Sequence, residues 1–440
     1  MEAYQMTAGF GLADITPQES VPMTSYGDDL RRFSLGNITD LQARALALSD
    51  EAGQTILIVT GDLSWAPSYL GEDILEGITQ TVKVPKDHIF LMGTHTHDSV
   101  GCHFPEIPAV MRYRERYING MITAAVQAWH DRKSATIFVG SAITERMNFV
   151  KRYVMDDGSF CGDLFKGTGT RVVGHESQAD PELQLMRFCR EGCKDILIAN
   201  FQTHPHLEGK NQKVSAQLAG SFREEAEARL GVHCIYWNGG AGNINSGSRI
   251  KAEQRAFDRF EWARIMVDYA EKVRLHPVRG GPVRVSHGIL SAPVNHGSDG
   301  NLQNAQRVVD YFNEGHTIRE AMEFAEPLGF HSSFHASRAI ANAKLPQTKD
   351  MLLQTYSFGD VAGVVLPYEL FDTTCMYIKR NSAFGKTFIN GYSWPSYVGY
   401  IPSAMGFADG GYEVDNCTFA PGTAEKIAET FLDLLEAMKN

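Results

Sequence analysis

Two stretches pair histidines one residue apart at the end of an apolar run. In "LMGTHTHDSVG" (91–101) they are His95 and His97, followed by Asp98; in "ANFQTHPHLEG" (199–209) they are His204 and His206, split by Pro205. Histidine is the commonest metal ligand and the side chain that titrates nearest neutral pH. In extended backbone residues i and i+2 share a face, so each pair suits a zinc site or an acid/base pair. Three further stretches carry polar groups that strands do not need for folding. "WNGGAGNINSG" (237–247) is a Gly/Asn-rich turn, readable as an anion or oxyanion nest of backbone N–H groups over residues 239–243 or as a tight connection. "GVVLPYELF" (363–371) places Glu369 after an apolar strand and a proline, as a ligand or as a helix-capping carboxylate. "NGYSWPSYVGYIPS" (390–403) clusters tyrosines as phenol donors or as core aromatics. Imidazoles, a carboxylate and phenols together match the donor set of a catalytic zinc site. There is no HExxH and no GxSxG, which sets aside zincin proteases and standard α/β-hydrolases. "GFGLAD" (9–14) lacks the third glycine of a dinucleotide fingerprint.

The elements that must position these groups are short apolar blocks bounded by Gly or Asp. They are "TILIVTGD" (55–62), "HIFLMGTH" (88–95), "ATIFVGSA" (135–142), "DILIANFQTH" (195–204) and "HCIYWNGG" (233–240), most of them reading as buried central strands. Amphipathic helices are expected over 214–231, ending on Gly231, over 251–274, and over 423–440. Strand–helix alternation predicts an α/β fold, mixed sheets flanked by helices in layers. Ligands in such sheets gather beyond the carboxyl ends of strands, where the histidine pairs lie. The chain reads as one domain, 1–440, with the more polar segment 296–345 as a helical cap or insertion.

Composition is ordinary for a globular enzyme, 43% hydrophobic and 21% charged over 440 residues. A net charge of −11 with no basic block argues against a nucleic-acid partner and leaves a small-molecule or amphiphilic substrate. No apolar run approaches the roughly 18 residues of a membrane span. The opening residues show no signal-peptide pattern, so a cytoplasmic protein is expected, a processed secreted form being the alternative. The seven cysteines are scattered; Cys189 and Cys193 flank a "REG" turn that reads as a hairpin tip, and reduced thiols fit best.

In this order the motifs resemble the neutral/alkaline non-lysosomal ceramidase family. "GFGLADITP" (9–17), "PMTSYG" (22–27) and "LQARALAL" (41–48) are similar to that family's opening, and "GTHTHDSVG" to its ATHTHSGPG motif. "NFQTHPHLEG", "WNGGAGNINSG", "LPYELF" and "VGYIPSAMGFADGGYE" (398–413) resemble its second histidine motif, its NGxxGDVSP turn, its glutamate motif and its tyrosine segment. The resemblance implies the family's catalytic-domain fold and one zinc ion held by His95, His204, Glu369 and a tyrosine. The family's twelve-residue tyrosine spacing selects Tyr400 as ligand and Tyr412 as its neighbour, leaving Tyr392 and Tyr397 to pack. His97 matches the histidine that faces substrate. The family's catalytic serine falls on Asn245 and a neighbouring aspartate on Asn243, so a serine-dependent mechanism does not carry over. Arg152 sits near a substrate-contacting arginine, with a surface ion pair as the plainer reading. The chain stops soon after the tyrosine segment, so the resemblance does not reach the family's C-terminal immunoglobulin-like domain.

The expected function is zinc-dependent hydrolysis of an amide (N-acyl) or related acyl bond. His97 would carry the proton, Tyr412 and the 239–243 amides would meet the developing oxyanion, and Asn245 is counted among the catalytic positions. Gly240, Asn243 and Arg152 are the expected substrate contacts, and Asp98 or Asp62 the partner that orients a ligand histidine. Cys102 and His103 receive no role. The alternatives are a zinc-dependent carbohydrate lyase or ester/lactone hydrolase on the same site, or a metal-binding protein without turnover.

Overall fold

A computed structural model describes residues 5–27, 29–254, 258–297, 301–395 and 399–439. The larger sheet contains β1 (Met6–Asp14), β2 (Gln42–Ser49), β3 (Thr55–Gly61), β4 (Ile89–Gly93), β5 (Lys133–Ile143), β6 (Glu182–Arg190), β7 (Ile196–Phe201) and β8 (His233–Asn238). Their order is β8-β7-β6-β5-β1-β2-β3-β4, with the short strand His276–Val278 beside β5. The pairs β3/β4 and β7/β8 are parallel; the other neighbours are antiparallel. A second sheet runs β9 (Val283–Pro293), β10 (Thr348–Phe358), β11 (Val361–Val365), β12 (Lys386–Asn390), with β11 and β12 parallel.

The period-2 alternation of strands explains the layering. Ala43, Ala45, Leu57, Val59 and Leu91 point outward into a core shared with α1 (Ser68–Thr81) and α2 (Pro108–His130). Leu197, Phe201 and Tyr236 do the same beneath α3 (Gln217–Leu230) and α4 (Arg259–Lys272). The intervening residues Ile56, Ile58, Phe90, Ile198 and Trp237 face the second sheet and pack on its Tyr356, Phe358, Val361 and Phe388. That sheet's other face, with Leu353, Val364 and Ile389, is covered by α8 (Asp372–Asn381) and α11 (Thr423–Lys439). The result is helix, sheet, sheet, helix. It is the mixed, layered α/β architecture expected.

Segment 296–345 is helical. It contains α5 (Leu302–Asn313), α6 (Ile318–Ala325) and α7 (Ser333–Ala343), with a small core of their own; residues 298–300 lie outside the described residues. Two shorter helices follow, α9 (Ala404–Asp409) and α10 (Tyr412–Asp415). The expected helix over 251–274 begins only at Arg259, where the Asp258 carboxylate accepts from the amides of Phe260 and Glu261 and caps it; residues 255–257 are not among those described. Gly231 ends α3 at φ 64°, the left-handed conformation that suits glycine. The block 135–142 is not a fully buried strand: most of β5 is partly or fully exposed along its length. Cys189 and Cys193 flank the turn between antiparallel β6 and β7, as expected, and all seven cysteines are free.

Candidate active site

The carboxyl ends of the parallel strands converge. Beyond β4 lie His95 and His97, beyond β7 His204 and His206, and beyond β11 Glu369. Asn238 at the end of β8 donates from its side-chain amide to the carbonyls of Thr203 and Thr94, stitching the two histidine turns together. Glu369 and Tyr400 are paired residues in a short parallel ladder, which sets the two side by side.

His95 Nε2 lies 3.6 Å and His204 Nε2 3.3 Å from the same oxygen, Glu369 Oε2. The other nitrogen of each ring is fixed by backbone: His95 Nδ1 donates to the Ser64 carbonyl at 2.7 Å, His204 Nδ1 to that of Ile244 at 2.9 Å. A carbonyl can only accept, so these contacts place the proton on Nδ1 and leave a bare lone pair on Nε2. Two imidazole lone pairs and a carboxylate oxygen therefore face one another, and His204 Nε2 and Glu369 Oε2 have no hydrogen-bond partner among the described residues. Both rings are essentially buried, at 2% exposure for His95 and 1% for His204.

His97 Nε2 stands 3.2 Å from His95 Nε2, and the three imidazoles offer nitrogens within 4.8 Å of one another. Its backbone N–H is held by Gln217 Oε1 and its carbonyl by Arg32 Nη2. Burial pushes the His95 imidazole down to about 3 and His206 to about 4, and drives His97 and His204 well below the ordinary histidine range. All four are neutral at pH 7. His95, at φ 65°, and Tyr392, at φ 58°, occupy left-handed backbone unusual for non-glycine residues, and their rings stack at 3.8 Å.

A cavity of about 570 Å³ opens onto this cluster. His95, His97, Glu369, Tyr400 and Tyr412 form its floor, and Trp65, Tyr69 and Phe334 its aromatic sides. The Tyr400 and Tyr412 rings meet edge to face at 5.6 Å, and burial raises both phenols well above the usual range. Lys151 Nζ sits 4.9 Å over the Tyr400 ring. Burial lowers its pKa, but the carboxylates of Glu413, Asp163 and Glu369 outweigh that and hold it raised.

No protein-family model and no curated protein matches the chain. Among solved structures, the neutral ceramidase from Pseudomonas aeruginosa matches 100% of this chain and 75% of its own, at a TM-score of 0.74 and 17% identity. A ceramidase complexed with C2 matches 99% of this chain and 75% of its own, at 0.73 and 16%. The fold is that of the neutral ceramidases. Within this ceramidase fold, the structure brings His95, His97, His204, Glu369, Tyr400 and Tyr412 together, as the sequence suggested.

Other expected residues sit elsewhere. Arg152 is buried rather than at the surface: it bonds Glu176 at 2.7 Å, Glu413 at 3.1 Å and the carbonyls of Gly406 and Gly410. It thereby fixes α9 and α10, and with them Tyr412. The Asn243 amide exchanges two hydrogen bonds with Asp372 at the start of α8, and burial raises that carboxyl to about 7. Gly240 packs so closely that a Cβ would stand 2.1 Å from Cys375 Sγ, and one on Gly242 would meet the Glu369 carbonyl at 2.4 Å. The amides of Gly239 and Gly242 are spent on the carbonyls of Phe201 and Leu370, so at these two positions the expected nest is a packing turn. Asn245 pairs with His204 through backbone and keeps a buried Oδ1 with no hydrogen-bond partner.

Asp62 and Asp98 do not orient a ligand histidine. Asp62 takes Arg223 at 2.8 and 2.6 Å, and Asp98 takes Asn211 and Gln217; backbone carbonyls perform the orienting instead. Cys102 is core, whereas His103 lines the cavity. Tyr392 packs on His95 as expected, while Tyr397 lies outside the described residues. Sequence reasoning missed Lys151, although it adjoins Arg152, and gave no role to His206, whose ring lies 4.6 Å from that of His97.

A second group of ligand type, His331, His335 and Asp415, joins the start of α7 to α10. His331 Nδ1 lies 2.8 Å from Asp415 Oδ2, and this contact tethers the helix that carries Phe334 to the one that carries Tyr412. Among the described residues no helix is long and apolar enough to cross a membrane.

Proposed function

We propose that the protein is a zinc-dependent hydrolase of an amide (N-acyl) or related acyl bond. One observation carries the reading: the Nε2 lone pairs of His95 and His204 both face the same oxygen, Glu369 Oε2. Two neutral imidazoles and a carboxylate arranged so repel one another unless a cation stands at their focus. The donor set, nitrogen and hard oxygen, fits zinc. His95, His204 and Glu369 would hold the ion with Tyr400 in the remaining position, and His97 borders the same space. A bound zinc ion supplies Lewis acidity, polarising an acyl carbonyl and lowering the pKa of water towards neutrality.

The chain's own residues do the rest. His97, neutral at pH 7 because it is buried, accepts a proton at its free ring nitrogen and returns it to the leaving group. Tyr412, kept protonated by burial, donates a hydrogen bond to the substrate oxygen that gains charge. Asn245, standing at the family's serine position, is no nucleophile and lies beside His204 as a polar neighbour. Arg152 positions Tyr412 through Glu413 and the Gly410 carbonyl. Aromatic walls exclude water from the bond being cleaved.

The test is metal analysis of purified protein, then product detection on N-acyl amides, esters and uronate-containing sugars. New amine plus acid from a zinc-loaded sample supports the reading. An unsaturated, ultraviolet-absorbing product assigns the site to elimination instead, and bound zinc without turnover on the whole panel reduces the protein to a metal-binding one.

A further inference from the structure

The cavity is asymmetric in charge. Its floor carries Glu369, the one carboxylate among its described lining residues; the wall built by α7 and the start of β10 carries two cations, Arg338 and Lys349. Neither is a surface accident of a basic protein, since the chain has a net charge of −11. Arg338 is held against the wall by donating from Nη1 to Thr418 Oγ1 at 2.9 Å. Both are half-buried, and burial lowers the pKa of each, with the Arg338 charge lowering that of Lys349 further. Both cations border the same cavity, with Arg338 close enough to act on Lys349, so an anion entering it meets two positive charges on one wall. A planar guanidinium beside a compact ammonium matches the two oxygens of one carboxylate, the first in fork geometry and the second as a point charge.

We propose that Arg338 and Lys349 form an anion subsite that takes a carboxylate on the substrate, so that the acyl compound cleaved at the His95–Glu369 end is an acid and not a neutral lipid. The proposal rests on the hydrolase reading for what happens at the floor, but the subsite itself is a binding claim. Its residues lie outside the metal cluster.

Calorimetric binding to the zinc-loaded protein tests it with a graded series: N-acetylglycine, N-acetyl-β-alanine, N-acetyl-4-aminobutyrate and N-acetyl-6-aminohexanoate, each against its carboxamide. The series varies the span between amide and acid, and each pair differs only in charge. At least one acid should bind about tenfold or more tightly than its carboxamide, as a charge-assisted pair requires. Arg338→Gln and, separately, Lys349→Gln should erase that preference while leaving carboxamide affinity unchanged, which also shows that each variant is folded. A series in which no acid outbinds its carboxamide, or a preference that survives both substitutions, overturns the proposal. Tighter binding of the matching N-acetylaminoalkyl phosphate overturns the assignment to a carboxylate. Acid preference without hydrolysis of any member leaves the subsite standing and removes the hydrolase reading.

Discussion

Replacing Glu369 by glutamine tests the metal site directly, because stability without metal and affinity for zinc should move in opposite directions. The side chain keeps its size and loses its charge. In the metal-free protein Glu369 Oε2 confronts the His204 and His95 lone pairs at 3.3 and 3.6 Å. A glutamine amide brings two N–H donors to the same place. Satisfying a buried, unpaired acceptor is worth about 1–3 kcal/mol, so metal-free Glu369→Gln should be more stable than the parent by about that amount. Zinc affinity should move the other way. A four-ligand site binds zinc with an apparent free energy of about 10–16 kcal/mol, or roughly 3–4 kcal/mol per ligand, so losing the carboxylate should weaken binding about 10²- to 10³-fold. Denaturant unfolding of chelator-treated protein gives the first quantity, and competition against a fluorescent zinc chelator the second. A variant that binds zinc as tightly as the parent, or is less stable without metal, would rule out Glu369 as a ligand.

Three other outcomes follow from the same geometry. Comparing zinc content in His97→Ala and Tyr400→Phe decides which residue fills the last position: the ligand's loss lowers occupancy, the other's loss lowers turnover alone, and unchanged behaviour in both removes them from the site. Arg152→Gln takes the guanidinium from the buried Glu176 and leaves Glu413 with Lys151 alone, a loss of about 3–5 kcal/mol on thermal or denaturant unfolding; zinc content should persist while kcat falls, because Tyr412 is no longer held, and unaltered kcat would deny the positioning role. Metal-free protein should lose stability in acid. In the unfolded chain histidine protonates near 6.5, whereas the folded state keeps His95 neutral down to about 3 and His206 down to about 4. Their depressed values therefore contribute fully above pH 6.5 and drain away as pH falls towards those values, at about 1.4 kcal/mol per pH unit for each histidine. Melting temperature followed from pH 7.5 to 5 should fall, and less steeply in His206→Gln; a flat profile would contradict the burial argument.

The layers and most of the candidate ligands could be read from local sequence. Blocks such as "TILIVTGD" and "DILIANFQTH" carry apolar residues on both faces because both faces of those strands are covered, one by helices and one by the second sheet, and such a run is legible without a structure. The donors were legible for the same local reason: a polar residue directly after a buried strand has no folding use, so His95, His204 and Glu369 stood out. How those groups are aimed, and what surrounds them, emerges only when the layers pack. The carbonyls of Ser64 and Ile244 fix the histidine tautomers, yet a backbone carbonyl leaves no mark in composition. Asp62, adjacent in pattern, turns instead to Arg223, 161 residues away. The "WNGGAGNINSG" turn reads locally as a nest; only the approach of Glu369 and Cys375 shows that its glycines answer a close packing. Arg338 and Lys349 reach the cavity because α7 and β10 fold beside a floor whose histidines lie much earlier in the chain and whose glutamate and tyrosines lie later. Periodicity records which face of an element is buried, whereas the distance between side chains hundreds of residues apart is set only when the layers pack.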